Sequence, residues 1–332
     1  MGSRIAEWIR NHQVLTFFVV AYAITWPGFF LAYFILPDSQ IVQALAVPGV
    51  FGPALAAMLV SGIAEPHPRG ERSKARWITF VTSWIVAAAV QVLYFWKVAR
   101  TGLTAPIIIV SCAWALFPAW VLSSAYARTP GIRKCFTTLL KPRGPAVWYL
   151  VIFLIFPGLI LLATGITRLL GDQADFFLAG LGFEDAAVIL VLDFLRGFLM
   201  TGGINEESGW RGFALPRLQA RYPVLVSAAI VWFFWAAWHL PYDIGRGDPV
   251  AWILENRIVW NLMVSIVMTW LYNRTNGSTL APALLHPAMN TFGNLFSFTV
   301  VGKLLIAGVA IFAVVYDRMW KKLPPESLAV AR

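Results

Sequence analysis

Two neighbouring carboxylates stand four residues ahead of an arginine in the stretch Gly202-Gly203-Ile204-Asn205-Glu206-Glu207-Ser208-Gly209-Trp210-Arg211-Gly212-Phe213. On a helix, Glu207 and Arg211 share a face while Glu206 points about 100 degrees away. Arg211 can therefore neutralise one carboxylate and leave the other free to act as a base. Two histidines follow in apolar surroundings. His239 closes Trp232-Phe233-Phe234-Trp235-Ala236-Ala237-Trp238-His239, and His286 opens His286-Pro287-Ala288-Met289-Asn290, with Asn290 four residues on and on the same face. A glutamate beside an imidazole can deprotonate water, and an imidazole with an amide can stabilise the oxyanion of a tetrahedral intermediate. The same set has a second reading, because Glu206, His239 and His286 could hold zinc with a position open for water. No His-Glu-x-x-His motif occurs, and the residues leave metal-assisted and metal-free chemistry both open.

These groups come from separate apolar runs, so a bundle must bring them together. The 332 residues are 59% hydrophobic and 13% charged, against about 25% charged in a soluble domain; the mean hydropathy is +0.70. The apolar runs are continuous and about 20 residues long, whereas barrel strands would alternate with a period of two. They occupy 14–36, 44–63, 77–96, 104–125, 146–168, 186–203, 223–240, 256–272, 278–296 and 298–316. Lys303 interrupts the last, so the sequence predicts an all-α, polytopic transmembrane helical bundle of about eight to ten spans. The first run lacks a small-residue cleavage site and reads as a retained helix. The expected organisation is an accessory helical bundle over 1–180, a catalytic core over 181–316 and a cytoplasmic tail over 317–332.

Charge sets the expected orientation. One parity of loops carries Arg69, Arg72, Lys74 and Arg76, then Arg128, Arg133, Lys134, Lys141 and Arg143, then Arg211, Arg217 and Arg221, Arg274, and Arg318, Lys321 and Lys322. The opposite parity holds 169–185, with Asp172, Asp175, Glu184 and Asp185 and no Lys or Arg. The positive-inside rule puts the basic loops and both termini in the cytoplasm; Lys97 and Arg100 break the pattern. By the same parity Glu206 and His286 fall near inner helix ends and His239 near an outer one, so a shared site needs a tilted seventh helix or displaced boundaries.

The net charge of +10 is spread over short loops with no basic stripe interleaved with aromatics, which excludes a nucleic-acid partner. Cys112 in an apolar run and Cys135 in a basic loop offer neither a disulfide framework nor a thiolate metal site. The 16 tryptophans suit anchoring at the membrane interface. His12 and His67 lie in polar sequence and receive no role. Asp193 and Arg196, three apart in the sixth run, read as a structural ion pair, and Asn205 and Asn294 as hydrogen bonds between helices.

The ordered set Glu206-Glu207-x-x-x-Arg211, an aromatic-x-x-x-His239, and His286-x-x-x-Asn290 resembles the CPBP family, the CAAX prenyl endopeptidases and the bacteriocin-processing or Abi-type membrane proteases. The resemblance covers about residues 186 to 300 and rests on the combination and order of motifs that are individually weak. It implies an intramembrane endopeptidase that cuts near the cytoplasmic face. Glu206 and His239 would activate water, His286 and Asn290 would assist, and Glu207, Arg211 and Trp235 would support them. Trp235 stands where the family favours phenylalanine. The implied substrate is a hydrophobic peptide or protein, prenylated at a CAAX-type tail or bacteriocin-like, reached through membrane lipid. The implied cofactor is zinc or none, and the implied location the prokaryotic plasma membrane. The alternative is a non-catalytic immunity or scaffold protein of the same fold.

Overall fold

The computed structural model describes residues 2–66, 73–172, 183–296 and 299–324; His67, Arg69, Arg72 and Asp175, named above, lie outside them. Among the described residues every regular element is helical. A short helix α1 (Gly2–Asn11) precedes α2 (Gln13–Ile35), α3 (Ile41–Ala64), α4 (Lys74–Lys97) and α5 (Ala105–Tyr126). After α6 (Pro130–Leu140) come α7 (Val147–Leu169), α8 (Glu184–Gln219), α9 (Val224–Gly245) and α10 (Val250–Arg274). Two shorter helices close the chain, α11 (Leu280–Leu295) and α12 (Val300–Tyr316). Eight of these helices are long and apolar enough to cross a membrane. The expected all-α polytopic bundle is thus what forms, while the ninth and tenth apolar runs make helices of 16 and 17 residues, about 24 to 26 Å long and short of a 30 Å hydrocarbon core. Outward-facing residues such as Ile109 and Leu304 are 68% and 67% exposed, which water would penalise and lipid does not.

Contacts at the helix ends show which loops share a side. Arg217 Nε donates to Gln13 Oε1 at 2.9 Å, Tyr149 Oη donates to Ser278 Oγ at 2.9 Å, Lys134 meets Glu65 at 2.9 Å and Arg274 pairs with Asp317. These pair the start of α2 with the end of α8, the start of α7 with that of α11, the end of α3 with α6 and the end of α10 with that of α12, and the described basic loops gather there. At the other end Arg100 lies 3.5 Å from Asp185 and Thr167 donates to Thr299 at 3.2 Å. The loop that broke the charge pattern therefore has an acidic neighbour, in an exposed pair of small energetic weight.

The sixth run does not end at 203 as expected. Its helix breaks at 200–203, where Gly202 has φ +121°, and restarts at Ile204 to reach Gln219. Asn205 makes the restart possible. Its Oδ1 accepts from the Gly202 amide at 2.7 Å and its Nδ2 donates to the Val50 carbonyl of α3 at 3.0 Å, so the polar groups exposed by the break are satisfied inside the bundle. Beyond it Gly209 lets α8 close on α3: a Cβ there would sit 2.6 Å from the Pro53 carbonyl oxygen. Asn294 also makes its expected interhelical bond, donating to Asp193 Oδ2 at 3.2 Å.

Candidate active site

The α8–α9 hairpin sets the depth of two of the four candidate groups. Glu206 lies 13 residues before Gln219 and His239 lies 15 after Val224, on either side of a short turn, so the two meet at one level. The apparent mismatch in depth came from ending the sixth helix at 203. Glu206, His239, His286 and Asn290 all line one cavity of about 710 Å³. Its lining comes from the halves of α2, α3, α4, α9, α10 and α12 remote from the basic loops, so the cavity lies toward the opposite end of the bundle.

The adjacent carboxylates have different surroundings. Glu206 reaches the cavity wall, whereas Glu207 and Arg211 lie behind it, each 0% exposed. Arg211 Nη1 donates to both Glu207 oxygens at 2.9 Å, the pairing expected from their four-residue spacing. Burial of a carboxylate is tolerated when charge and hydrogen bonds compensate it, and Glu207 has a third contact: His286 Nδ1 lies 2.8 Å from Oε1. Because an ion-paired carboxylate accepts, His286 donates from Nδ1 and its Nε2 is left over. His239 is fixed in the same way, with Nδ1 donating to the Trp235 carbonyl oxygen at 2.7 Å; a carbonyl can only accept, so Nε2 carries the free lone pair. Asn290 lines the cavity without a hydrogen bond among the described residues.

Trp235 connects these groups, which sequence reasoning missed by treating it as a stand-in for phenylalanine. Its Nε1 donates to Glu206 Oε2 at 2.7 Å. Its ring meets His239 and His286 edge-on at 5.7 and 5.4 Å, and the Arg211 guanidinium lies 4.7 Å over its face. Phenylalanine could keep the ring contacts but has no N–H to hold the carboxylate; the indole donor was the available signal. Gly202 was quoted but given no task. A Cβ there would come within 2.8 Å of His286 Cδ2 and 2.9 Å of Nε2, so the glycine serves both the positive φ and the place of the imidazole.

The expected Asp193–Arg196 ion pair does not form. Asp193 Oδ2 accepts from Thr291 Oγ1 at 3.1 Å and from Asn294 Nδ2, while the Arg196 guanidinium stacks 4.4 Å over the Tyr94 ring. Neutral donors from α11 satisfy the carboxylate, and the aromatic face of α4 competes for the cation. As for a metal, no group of three or more His, Cys, Asp or Glu side chains among the described residues is arranged to hold one. His286 Nδ1 is committed to Glu207 and one Glu206 oxygen to Trp235. Glu206, His239 and His286 share a wall without converging as a zinc donor set, and no step below passes through a metal.

Residues 186–292 match the Rce1-like family model, that of the type II CAAX prenyl endopeptidases. This segment holds every candidate site residue. The chain is also 27% identical over 180 residues to the CAAX prenyl protease 2 of Methanococcus maripaludis. That match covers 51% of this chain and 65% of the relative, less than two thirds of its length. Both similarities support the resemblance to CPBP-family proteases.

Proposed function

We propose that this chain is an intramembrane endopeptidase that hydrolyses a peptide bond in the cavity with water activated by Glu206 and His239. The observation that carries this is the division of the Glu206-Glu207 pair: one carboxylate on the wall of the cavity that two imidazoles and an amide also line, the other buried and neutralised by Arg211. Water held between the free Glu206 oxygen and His239 Nε2 gives its proton to Glu206 as its oxygen bonds to the scissile carbonyl carbon. The carbonyl electron pair moves to oxygen, where Asn290 Nδ2 and His286, protonated on Nε2 and backed by Glu207, stabilise the charge. The C–N bond then breaks and the departing amine takes the proton from Glu206.

Residues 181–316 carry this chemistry, and the helices of 1–180 wall the cavity through Phe29, Tyr33, Val50 and Tyr94. The chain's place is the prokaryotic plasma membrane, with the basic end, both termini and the tail from 317 in the cytoplasm. In that orientation the cavity lies toward the opposite face. The resemblance implies a cut near the cytoplasmic face, and the continuation of α8 to Gln219 sets Glu206 away from the inner end of its helix. An exported hydrophobic or bacteriocin-like peptide would meet the cavity directly, and a prenylated tail would enter it from the lipid. The test is cleavage of fluorogenic hydrophobic peptides, one carrying a farnesylated CAAX terminus, by detergent-purified protein beside folded Glu206→Ala and His239→Ala variants. Cleavage abolished in both variants supports the reading; full cleavage by either overturns the assigned roles.

A further inference from the structure

Among the described residues four cations line the cavity, and three have partners. Arg257 makes two 2.6 Å bonds to the buried Asp243 carboxylate, Lys303 pairs with Glu255, and Arg246 takes the Tyr242 hydroxyl at 2.8 Å with Asp248 at 3.8 Å. Arg196 differs. It has no carboxylate partner among the described residues, its Nε is buried without a hydrogen bond, and its guanidinium carbon lies 4.4 Å over the Tyr94 ring. A guanidinium held over a ring by cation–π attraction keeps its terminal N–H groups for a carboxylate, which a guanidinium can bind through two donors. Asp193, one turn earlier on α8, is the acid nearest in sequence, and its hydrogen bonds run to Thr291 and Asn294 on α11.

We infer that Arg196 is an anion subsite of this cavity and receives the C-terminal carboxylate of the peptide. The inference rests on the peptidase reading and names the feature by which the substrate is chosen: a free chain end. The reach agrees. Arg196 and Glu206 line the same cavity on either side of the break at 200–203; ten residues of helix span about 15 Å, and an extended peptide covers about 3.4 Å per residue. A carboxylate on Arg196 therefore places a bond a few residues inward at Glu206. The cation also offsets Asp193, whose charge would otherwise repel an anionic chain end.

The experiment uses the full-length protein in nanodiscs and one fluorescent farnesylated CAAX peptide made in two forms, with a C-terminal carboxylate and with a carboxamide. Binding is read by fluorescence anisotropy and cleavage in parallel. A charge-assisted hydrogen bond at a buried donor corresponds to tenfold or more. Wild type should bind the acid at least about tenfold more tightly than the amide, Arg196→Gln should bind both with the affinity wild type shows for the amide, and Arg196→Lys should recover part of the preference. Asp193→Asn should tighten the acid and leave the amide unchanged. Equal binding of acid and amide by wild type, or a preference that survives in Arg196→Gln, overturns the subsite even if both peptides are cleaved. A preference for the acid without cleavage upholds the subsite and overturns the peptidase reading. Wild type that binds neither peptide overturns the inference.

Discussion

Removing the charge behind the cavity should separate stability from catalysis. Glu207 and Arg211 are fully buried and joined by two 2.9 Å bonds from one Arg211 nitrogen. Loss of one partner from such a pair leaves an uncompensated charge and costs about 3 to 5 kcal/mol. Arg211→Met should therefore lower the melting midpoint sharply. Replacing both residues with apolar side chains removes that penalty, and the double variant Glu207→Leu with Arg211→Met should recover most of the midpoint. Some loss remains, because His286 Nδ1 then has no acceptor and an unsatisfied buried donor costs about 1 to 3 kcal/mol. Activity should not recover. Without the carboxylate that holds Nδ1–H and backs the second proton on Nε2, His286 ceases to present a donor to the oxyanion, and loss of one such donor lowers kcat about 10²- to 10³-fold. Glu207→Gln with Arg211→Met keeps an acceptor oxygen for Nδ1 and should regain part of kcat. The assay is melting by intrinsic tryptophan fluorescence in detergent alongside peptide cleavage. Wild-type kcat in the Leu/Met variant would refute the role of Glu207 in orienting His286, and an unchanged midpoint in Arg211→Met would refute the uncompensated-charge argument.

Trp235→Phe should lower kcat about fivefold to tenfold, near the small end for a hydrogen bond to a charged group, because cavity water can replace the lost indole donor; unchanged kcat would show that the bond does not position Glu206. Gly202→Ala forces a methyl within 2.8 Å of the His286 ring at a positive φ, so cleavage should fall by at least an order of magnitude while Glu206, on the far side of the break, stays in place; wild-type cleavage by a folded variant would contradict this placement. Cys135 lies in α6, outside the long apolar helices, where burial lifts its thiol from the ordinary 9.0 to about 11. The folded state thus favours the neutral thiol. Its stabilising contribution is complete below pH 9 and is lost as pH rises toward 11, so Cys135→Ala should flatten the alkaline decline in the melting midpoint, and a decline of unaltered slope would speak against the shift.

Composition and run length determined the class by themselves. Helices about 20 residues long and a lipid-facing exterior follow from the need to satisfy the backbone where water is absent, and no alternative fold meets it with this sequence. The Glu207–Arg211 pair was equally legible, since four residues on a helix fix a shared face whatever surrounds it. What local pattern could not decide was where polar sequence stays inside the membrane. Gly202-Gly203 followed by two glutamates reads as a helix end, because isolated charges belong in water. Packing reverses that balance: Asn205 caps the Gly202 amide while donating to the distant Val50 carbonyl, Arg211 and His286 neutralise Glu207, and the helix continues to Gln219. The hairpin then levels Glu206 with His239. Tertiary structure likewise gave Arg196 the distant Tyr94 ring in place of the local Asp193. Spacing along one helix gives the pairs that can form, but which of them forms depends on donors and rings that only packing brings alongside.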